Sequence, residues 1–491
     1  SQFGEQLLGY TNIEKVSLIG LNRNPWGYGD DLLIAVGQGK YAGGDGTDTL
    51  YADWSNNTVS ATFDSSLSDE QVVNGVTVSG IERLLVKLGS GNDVLSVQTG
   101  GSHEIWSGAG NDQISINNGS VYAGDGDDVI VNGSGFVDAG SGNDIIRGVT
   151  GGFVDGGLGN DELVADLSVH WGPSYRRNIT YWRLDETGSQ ANVVGSGSSL
   201  VDVESYVAVG GANYLGSQFN ELFLSYTNIE KVSLTSLNVD PWYGYYGDDL
   251  LIAVGQGGKY VGGSGSDTLY ADWSNSEVSA TFDSSLSDEQ VVNGVTVSGI
   301  DRLLVKLGNG NDVLNVQTGG SHEIWSGAGN DQISINNGSV YAGDGDDVIV
   351  NGSGLVDAGS GNDIIRGMTY GTVEGGLGID ELVADLSGHT AYSYGRNLTY
   401  WRMNEAGERE NWVSAGSSWA DIQAYLAKGG TNYLGSQHGE QLLSYTNIEK
   451  VSLTSLNVDP AYGYLGGDDL LIAVGEGGKY VGGSGVDTLY A

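Results

Sequence analysis

Sixteen aspartates of this sequence close a short glycine-rich pattern, G-G-x-G-x-D or a close variant, which is followed by a large apolar residue. They are Asp31, Asp48, Asp93, Asp112, Asp128, Asp144, Asp161, Asp249, Asp267, Asp312, Asp331, Asp347, Asp363, Asp380, Asp469 and Asp487. The glycines allow turns with positive φ that leave carbonyl oxygens exposed, and each aspartate adds an anionic oxygen at a fixed place. Clustered oxygens of this kind suit Ca²⁺, which takes six to eight of them at about 2.3–2.6 Å. The pattern therefore predicts that these aspartates bind several calcium ions.

The spacing of the aspartates indicates coils. The first seven are 17, 45, 19, 16, 16 and 17 residues apart, and about 18 residues make two nonapeptides, one coil in which each half is a turn and a short strand. Stacked coils place loop above loop, so that oxygens of neighbouring loops converge. The expected fold is all-β: a parallel β-roll or β-helix solenoid with about 17–18 residues per coil.

These motifs resemble the RTX (repeats-in-toxin) nonapeptide family, whose members form calcium-bound parallel β-rolls. The resemblance implies that the sixth-position aspartates are carboxylate ligands, and that backbone carbonyls of the same and adjacent loops complete each site. The densest block, residues 88–166, carries the motif only in alternate half-coils; the half-coils between have glycine and asparagine turns. We therefore expect one row of calcium sites along one edge, whereas family members with the motif in every half-coil carry two rows.

A longer repeat of 216 to 220 residues overlies the short one. The opening SQFGEQLLGYTNIEKVSL returns as SQFNELFLSYTNIEKVSL and as SQHGEQLLSYTNIEKVSL. This divides the chain into long repeats 1–216 and 217–436 and a partial repeat 437–491, which we expect to form one continuous solenoid array. Because the first residue is serine and the last lies inside a repeat, we interpret the chain as an excerpt of a longer array.

Two stretches of each long repeat lack the motif. Residues 53–87 alternate apolar and polar positions, which predicts strands that continue the solenoid without calcium loops. Residues 167–216 and 385–436 concentrate aromatic, arginine and histidine residues, and we expect a loop or small excursion that carries contacts with partners. The aromatic residues suggest stacked ladders along the coils, with a carbohydrate-binding face as the alternative.

The composition restricts the class of protein. A net charge of −42, with 62 acidic and 20 basic residues, excludes nucleic acid as a partner, because nucleic-acid binding requires basic patches. About a dozen bound Ca²⁺ would contribute about +24 and relieve repulsion between stacked carboxylates. No apolar run approaches the length of a membrane span. The sequence has no cysteine, so metal-linked coils would have to provide the stability that disulfides give many secreted proteins.

The sequence therefore predicts a secreted, calcium-binding structural repeat protein at the cell surface or outside the cell, in a surface layer, sheath or fibre. We expect no enzyme, because the stretch from His103 to Trp106 reads HEIW rather than HExxH and no GxSxG is present. Self-association into a polymer or sheet is the expected partnership, with cell-surface polysaccharide as a further possible partner. Two alternatives remain: the stalk of a giant RTX adhesin with ligand contacts in 167–216 and 385–436, or a non-catalytic RTX module of a secreted enzyme.

Overall fold

The computed structural model describes most of the chain. The described residues are 17–20, 29–67, 69–170, 177–237, 247–255, 257–286, 288–389, 397–456, 467–483 and 485–491. Most of the opening segment of the first long repeat, which includes most of a strand expected from TNIEKVSLIGL, lies outside these ranges. Within them the protein is all-β, with two helices.

The strands are short, mostly three to five residues. In the chain up to residue 235 they are β1 (Leu18–Ile19), β2 (Leu32–Ile34), β3 (Lys40–Ala42), β4 (Thr49–Asp53), β5 (Thr62–Asp64), β6 (Gln71–Val73), β7 (Val76–Ser79), β8 (Arg83–Lys87), β9 (Val94–Val97), β10 (His103–Ala109), β11 (Gln113–Ile116), β12 (Gly119–Asp125), β13 (Val129–Asn132), β14 (Ser134–Ser141), β15 (Ile145–Val149), β16 (Gly151–Asp155), β17 (Glu162–Asp166), β18 (Ile179–Leu184), β19 (Gln190–Val194), helix α1 (Leu200–Val209), β20 (Asn213–Ser217), β21 (Leu222–Thr227) and β22 (Lys231–Thr235).

The second half of the chain repeats this order of elements. They are β23 (Leu250–Ile252), β24 (Lys259–Val261), β25 (Thr268–Asp272), β26 (Thr281–Asp283), β27 (Gln290–Val292), β28 (Val295–Ser298), β29 (Arg302–Lys306), β30 (Val313–Val316), β31 (His322–Trp325), β32 (Gln332–Ile335), β33 (Gly338–Tyr341), β34 (Val348–Asn351), β35 (Ser353–Asp357), β36 (Ile364–Met368), β37 (Tyr370–Glu374), β38 (Glu381–Asp385), β39 (Leu398–Met403), β40 (Arg409–Val413), helix α2 (Trp419–Lys428), β41 (Asn432–Ser436), β42 (Gln441–Thr446), β43 (Lys450–Thr454), β44 (Leu470–Ile472), β45 (Tyr480–Val481) and β46 (Thr488–Tyr490).

The chain divides into two compact units. Unit 1 comprises residues 1–196, 204–249 and 254–260, and unit 2 comprises 197–203, 250–253 and 261–491. These boundaries differ from those of the long repeats. The opening strands of the second repeat belong to unit 1, because β21 pairs with β16 and β22 pairs with β17 in parallel. The repeat boundaries therefore describe the sequence, and the units describe the packing.

Unit 1 is built on two long sheets of mainly parallel strands. One contains the run β21-β16-β14-β12-β10-β8-β4-β2, and the other contains β22-β17-β15-β13-β11-β9-β5. Strands that alternate in the sequence enter different sheets, so the chain crosses between the sheets at every turn. In register, Ile105 lies beside Val121 and Val121 beside Val137. These three apolar side chains are buried. A strand with one face covered shows apolar residues alternating with polar ones in its sequence, as these strands do.

Unit 2 repeats this arrangement. One sheet runs β23-β25-β29-β31-β33-β35-β37-β42 and continues into β41, β39 and β40, and the other runs β26-β30-β32-β34-β36-β38-β43-β45. Strands β44 and β46 form a separate two-stranded sheet. The prediction of an all-β protein with parallel strands is therefore confirmed in both units.

The motif-free stretch differs from the sequence prediction in detail. In the densest block the offset between paired strands is 19 residues for Leu85 beside Glu104, 16 for His103 beside Gly119 and 17 for Ser134 beside Gly151, which brackets the predicted 17–18. Between β4 and β8 the offset grows, with Thr49 beside Arg83. The additional residues include an antiparallel hairpin of β6 and β7, so residues 53–87 do not simply continue the coils.

The excursions are more ordered than the sequence suggested. In the first long repeat, β18 pairs antiparallel with β19 and β20, and β20 pairs antiparallel with β21. In the second, β39, β40 and β41 repeat the pattern, and α2 begins at a capping box in which Ser418 and Asp421 exchange hydrogen bonds. Of the segment 167–216, the described residues 177–216 thus form a small antiparallel excursion with a helix, which is the second of the two expected alternatives rather than a loop. Among the described residues, no helix has the length and apolar character needed to cross a membrane.

Candidate metal sites

Five motif aspartates form a column at one crossing between the two sheets of unit 1. This first column consists of Asp93, Asp112, Asp128, Asp144 and Asp161, and each is about 1% exposed. The Oδ1 atom of Asp93 accepts the backbone N–H of Ala61. In the other four, Oδ1 accepts the backbone N–H of the preceding column aspartate: for example, Asp112 N–H donates to Asp128 at 2.7 Å, and Asp128 N–H donates to Asp144 at 2.8 Å. The motif thus repeats in space as it does in sequence.

Unit 2 contains an equivalent column. This second column consists of Asp312, Asp331, Asp347, Asp363 and Asp380. Its carboxylates accept backbone N–H groups in the same order, for example Asp347 N–H to Asp363 Oδ1 at 2.8 Å. Matching geometry in two separate units indicates that the motif itself determines the turn.

Glutamates accept the same kind of backbone hydrogen bond where no motif is present, at the end of each column and beside Asp48, which lies outside both columns. Asp161 N–H donates to Glu230 at 2.9 Å, Asp380 N–H donates to Glu449 at 2.9 Å, and Asp48 N–H donates to Glu82 at 2.8 Å. Sequence reasoning missed these three residues. The available signal was position, because each glutamate directly precedes the lysine or arginine that opens a strand, just as each motif aspartate directly precedes a strand.

The second carboxylate oxygen distinguishes the columns from ordinary capped turns. Within the described part of the chain, the Oδ2 atom is buried and accepts no hydrogen bond in the following residues: Asp48, Asp93, Asp112, Asp128, Asp144, Asp161, Asp312, Asp331, Asp347, Asp363 and Asp380. A buried anionic oxygen without a donor is costly. It is stabilised either by a cation or by a proton on the carboxyl group.

The electrostatics of the columns follow from this burial. Desolvation by burial, together with the charges of Asp112 and Asp144 and against the lowering effect of the Asp112 N–H, raises the pKa of Asp128 to about 7. Burial likewise raises the pKa of Asp144 to about 6 and that of Asp347 to about 7. These carboxyl groups therefore keep their protons to a higher pH than ordinary carboxyl groups do, and a cation bound there would compete with those protons.

Glycines allow the turns of one coil to contact those of the next. Gly124 has φ +103, and a Cβ atom on it would lie 1.9 Å from the carbonyl oxygen of Gly108. Gly140 stands in the same relation to Gly124, at 2.0 Å. A side chain at these positions would separate the coils, so the glycines are required both by conformation and by the close approach.

The residue before each motif aspartate forms a second ladder, on the exposed side. Asp127 N–H donates to Asn111 Oδ1 at 3.2 Å, and Asn143 N–H donates to Asp127 Oδ1 at 2.8 Å. Here each N–H donates to the preceding coil, whereas the buried aspartate N–H groups donate to the following coil. Sequence reasoning did not identify this ladder, although an Asn or Asp before the motif aspartate was visible throughout residues 88–166.

Two predicted site residues have a different environment. Asp249 is buried, its Oδ1 accepts the N–H of Ile179, and its Oδ2 accepts the hydroxyl of Ser236. Asp469 accepts the hydroxyl of Ser455 at 2.6 Å in the same way. Both carboxylate oxygens of each residue are thus engaged by protein donors, which distinguishes these two aspartates from those of the columns.

Three further motif aspartates lie outside both columns. Asp31 is half-buried, and its N–H donates to Asp48 Oδ1 at 2.8 Å. Asp487 is also half-buried, and its Oδ1 accepts the N–H of Asp469 at 3.0 Å. Asp267 is fully buried, and its N–H donates to a carboxylate, as in the columns.

The columns offer hard oxygen donors, which fits Ca²⁺. In the residues that the structure describes, no three His, Cys, Asp or Glu side chains come together as a metal-binding group. Each coil instead supplies one carboxylate with an unbonded oxygen, so an ion at a column would take its other ligands from backbone carbonyls and water. A comparison of the sequence with protein-family models and with curated proteins finds no match.

Proposed function

We propose that this protein is a calcium-stabilised β-roll solenoid of the RTX type, in which the aspartate columns bind Ca²⁺. The observation that carries the proposal is the repeated buried Oδ2 atom that accepts no hydrogen bond in both columns. A lone carboxylate of this kind would be a local defect, but the same atom recurs at every coil of the densest block. Recurrence at coil spacing indicates one common ligand rather than several unrelated compensations.

In this proposal Asp93, Asp112, Asp128, Asp144 and Asp161 each contribute a carboxylate in unit 1, and their equivalents do so in unit 2. Ca²⁺ would supply the positive charge that the turns lack, and the chain's own residues would position the ligands. The glycines bring neighbouring turns into contact, the backbone N–H groups fix one carboxylate oxygen, and the strands hold the coils in register. The net charge of −42 would make the solenoid dependent on such cations.

The proposed role is a secreted structural scaffold, in a surface layer, sheath or fibre. Near-identical long repeats produce length and a regular surface, which suit a scaffold more than a single reaction centre. Calcium sites whose ligands are main-chain carbonyls and one carboxylate bind weakly. Weak sites are occupied outside the cell, where calcium is abundant. The proposal therefore places the protein outside the cell or on its surface, without catalytic activity.

Calcium titration with circular dichroism tests the proposal. We expect the chelated chain at pH 8 to have little β structure and to gain it at sub-millimolar to millimolar Ca²⁺. Mg²⁺ at the same concentration is the matched control for ionic strength, and it should restore much less structure because it prefers a smaller, octahedral shell. Equal β content with calcium and with chelator would exclude a calcium-dependent fold.

A further inference from the structure

Four neighbouring strands of unit 1 present an outer surface that carries no carboxylate. On β9, β11, β13 and β15, the alternate side chains that do not enter the core are half-buried or exposed. They form two rows in register, one from Val94 to Ile145 and one from Ser96 to Arg147. We call this surface the valine face, and it consists of Val94, Ser96, Gln113, Ser115, Val129, Val131, Ile145 and Arg147.

Unit 2 carries an equivalent valine face on β30, β32, β34 and β36. The same alternate positions are half-buried or exposed there. Val313 is 41% exposed and Val350 37%, close to the 40% of Val94. The only difference in sequence is Asn315 in place of Ser96. Further strands of the same sheet flank each face on both sides, so neither face is the edge of a sheet.

The charge of the valine face is unusual for this protein. The chain has 62 acidic and 20 basic residues, yet the strands β9, β11, β13 and β15 contain no acidic residue and a single charge, that of Arg147. A chain with a net charge of −42 repels its own copies over most of its surface. Contact between copies is least opposed where carboxylates are absent, and the valine face is such a place.

The arginine of each valine face is an exposed cation without a protein partner. At the margin of the face, Lys231 lies 3.0 Å from Glu162 and is paired. Within the part of the chain that the structure describes, neither Arg147 nor its equivalent Arg366 forms an ion pair or donates a hydrogen bond. A guanidinium group has five N–H donors and matches the geometry of a carboxylate. An unpaired arginine at the same point in both units indicates an acceptor on another molecule.

The remaining side chains favour a protein sheet as the partner. The four strands of the face contain no aromatic residue; the stacked rings of Trp106 and Tyr122 lie on β10 and β12 of the other sheet. Sugar rings pack best on aromatic faces. Rows of valine and isoleucine on a pleated surface instead suit a second sheet, whose side chains interdigitate with them at about 10 Å between the sheets.

We propose that the valine face packs against the valine face of a second molecule of this protein. The arrangement is two-fold: the two stacks of strands run in the same direction, their strands are antiparallel, and each strand lies over its equivalent. The valines and isoleucines then meet, and Arg147 is offset from Glu162 of the second molecule by one strand spacing, about 4.8 Å along the sheet. This contact rests on the proposed scaffold function and gives the scaffold a lateral, isologous interface.

The size of the face predicts a weak contact. In unit 1 the parallel run from β5 to β22 contains seven strands, and seven strands of about four residues each cover roughly 400 Å². A stable interface buries about 800 Å² on each partner. One pair of faces should therefore associate weakly, and the association should depend steeply on protein concentration.

Sedimentation velocity of the full chain in calcium, over a range of protein concentrations, tests the contact. The double variant Val131→Glu with Val350→Glu places a carboxylate in each valine face. The control, Val193→Glu with Val207→Glu, adds the same charge at positions of the first excursion that are 56% and 42% exposed. We expect the face variant to need at least about 10-fold more protein for half-maximal association, whereas the control should associate as the wild type does.

Thiol labelling provides a second measurement if the face variant folds poorly. The chain has no cysteine, so Ser115→Cys introduces one thiol into the valine face, and Ser120→Cys introduces one on β12 of the other sheet. Both serines are half-buried. In calcium, the rate at which a maleimide labels Ser115→Cys should fall several-fold as the protein concentration rises, and the rate for Ser120→Cys should stay constant.

Several results would overturn the proposal. They are strictly monomeric wild-type protein, a labelling rate of Ser115→Cys that does not change with concentration, and association that is lost in the control variant alone, which would assign the contact to the excursion. Wild-type protein that associates only after polygalacturonate is added would assign the face to an anionic polymer and reject the contact between copies. A calcium-dependent β signal in any of these cases would leave the calcium-binding proposal intact.

Discussion

Asp128 and Asp249 end the same six-residue motif, yet they occupy different environments. Asp128 shares its Oδ1 with a backbone N–H and buries an Oδ2 that accepts no hydrogen bond. Asp249 has both oxygens engaged, by Ile179 and Ser236. The difference lies in the neighbouring chain: another motif turn stacks on Asp128, whereas an excursion strand and a serine meet Asp249. Motif membership therefore predicts the turn, and the neighbouring coil decides whether its carboxylate remains available to a cation.

The largest effect should come from breaking the contact between coils in the column. Gly124→Ala places a Cβ atom 1.9 Å from the Gly108 carbonyl at φ +103. We expect a loss of about 3 kcal/mol or more in the free energy of unfolding. Gly188→Ala is the control, since Gly188 also has positive φ but has nothing within 4 Å of a Cβ atom, and it should cost about 1 kcal/mol. Denaturant unfolding in calcium compares the two, and similar losses would contradict the close stacking of the turns.

Removing the charge should have opposite effects on protein stability at Asp128 and at Asp249. Asp128→Asn keeps the Oδ1 acceptor but removes the buried charge, so we expect it to stabilise the chelated protein and to weaken calcium binding roughly 10-fold at the affected sites. Asp249→Asn weakens the hydrogen bonds that Ser236 and Ile179 donate, and should destabilise the calcium-bound protein by about 1–2 kcal/mol without increasing the β structure in chelator. Circular dichroism of both variants in chelator, with thermal melts and calorimetric titration in calcium, provides the measurement. An increase of β structure in chelator for both variants, or for neither, would contradict the comparison.

The pH dependence should differ between the chelated and the calcium-bound protein. Burial raises the pKa of Asp128 to about 7 and that of Asp144 to about 6. The folded chain therefore binds protons that the unfolded chain releases, and stability without metal should fall as pH rises from about 4 through about 7. In calcium the trend should weaken or reverse, because deprotonated carboxylates bind the ion. The β signal in circular dichroism at pH 5 and pH 8 measures this in chelator, and melting temperatures at the same two pH values measure it in calcium. A chelated protein with more β structure at pH 8 than at pH 5 would refute the proposed protonation.

The smallest effect is expected at the edge of the motif array. Asp128 lies between two motif coils, so Asp128→Ala should remove a ligand from sites on both sides. Asp31 is half-buried, its N–H donates to Asp48, and in the sequence it has a motif neighbour on one side only, so Asp31→Ala should reduce calcium uptake less. Calcium titration of the two variants decides, and equal losses would argue against shared ions between stacked loops.

Much of the architecture could be predicted from local pattern. Alternating apolar residues and periodic glycine predicted parallel strands joined by tight turns, and the aspartates of both columns lie at those turns. Glu82, Glu230 and Glu449 could not be identified from the motif, because the segments that precede them lack the G-G-x-G-x-D pattern. The helix and antiparallel strands of the excursions were missed because aromatic and arginine residues obscured their short periodic segments.

The sequence by itself determined the turn, the strand direction and the repeat, since these depend on glycine conformation and on residues close in the chain. Tertiary structure alone decided which carboxylate oxygens lack a donor, because Ile179 and Asp249 are 70 residues apart. It also decided that a motif turn lies against Asp128 while an excursion strand lies against Asp249, although both residues end the same motif. Identical residues differ here because their environment depends on which distant segment packs against them, and the local sequence does not specify that segment.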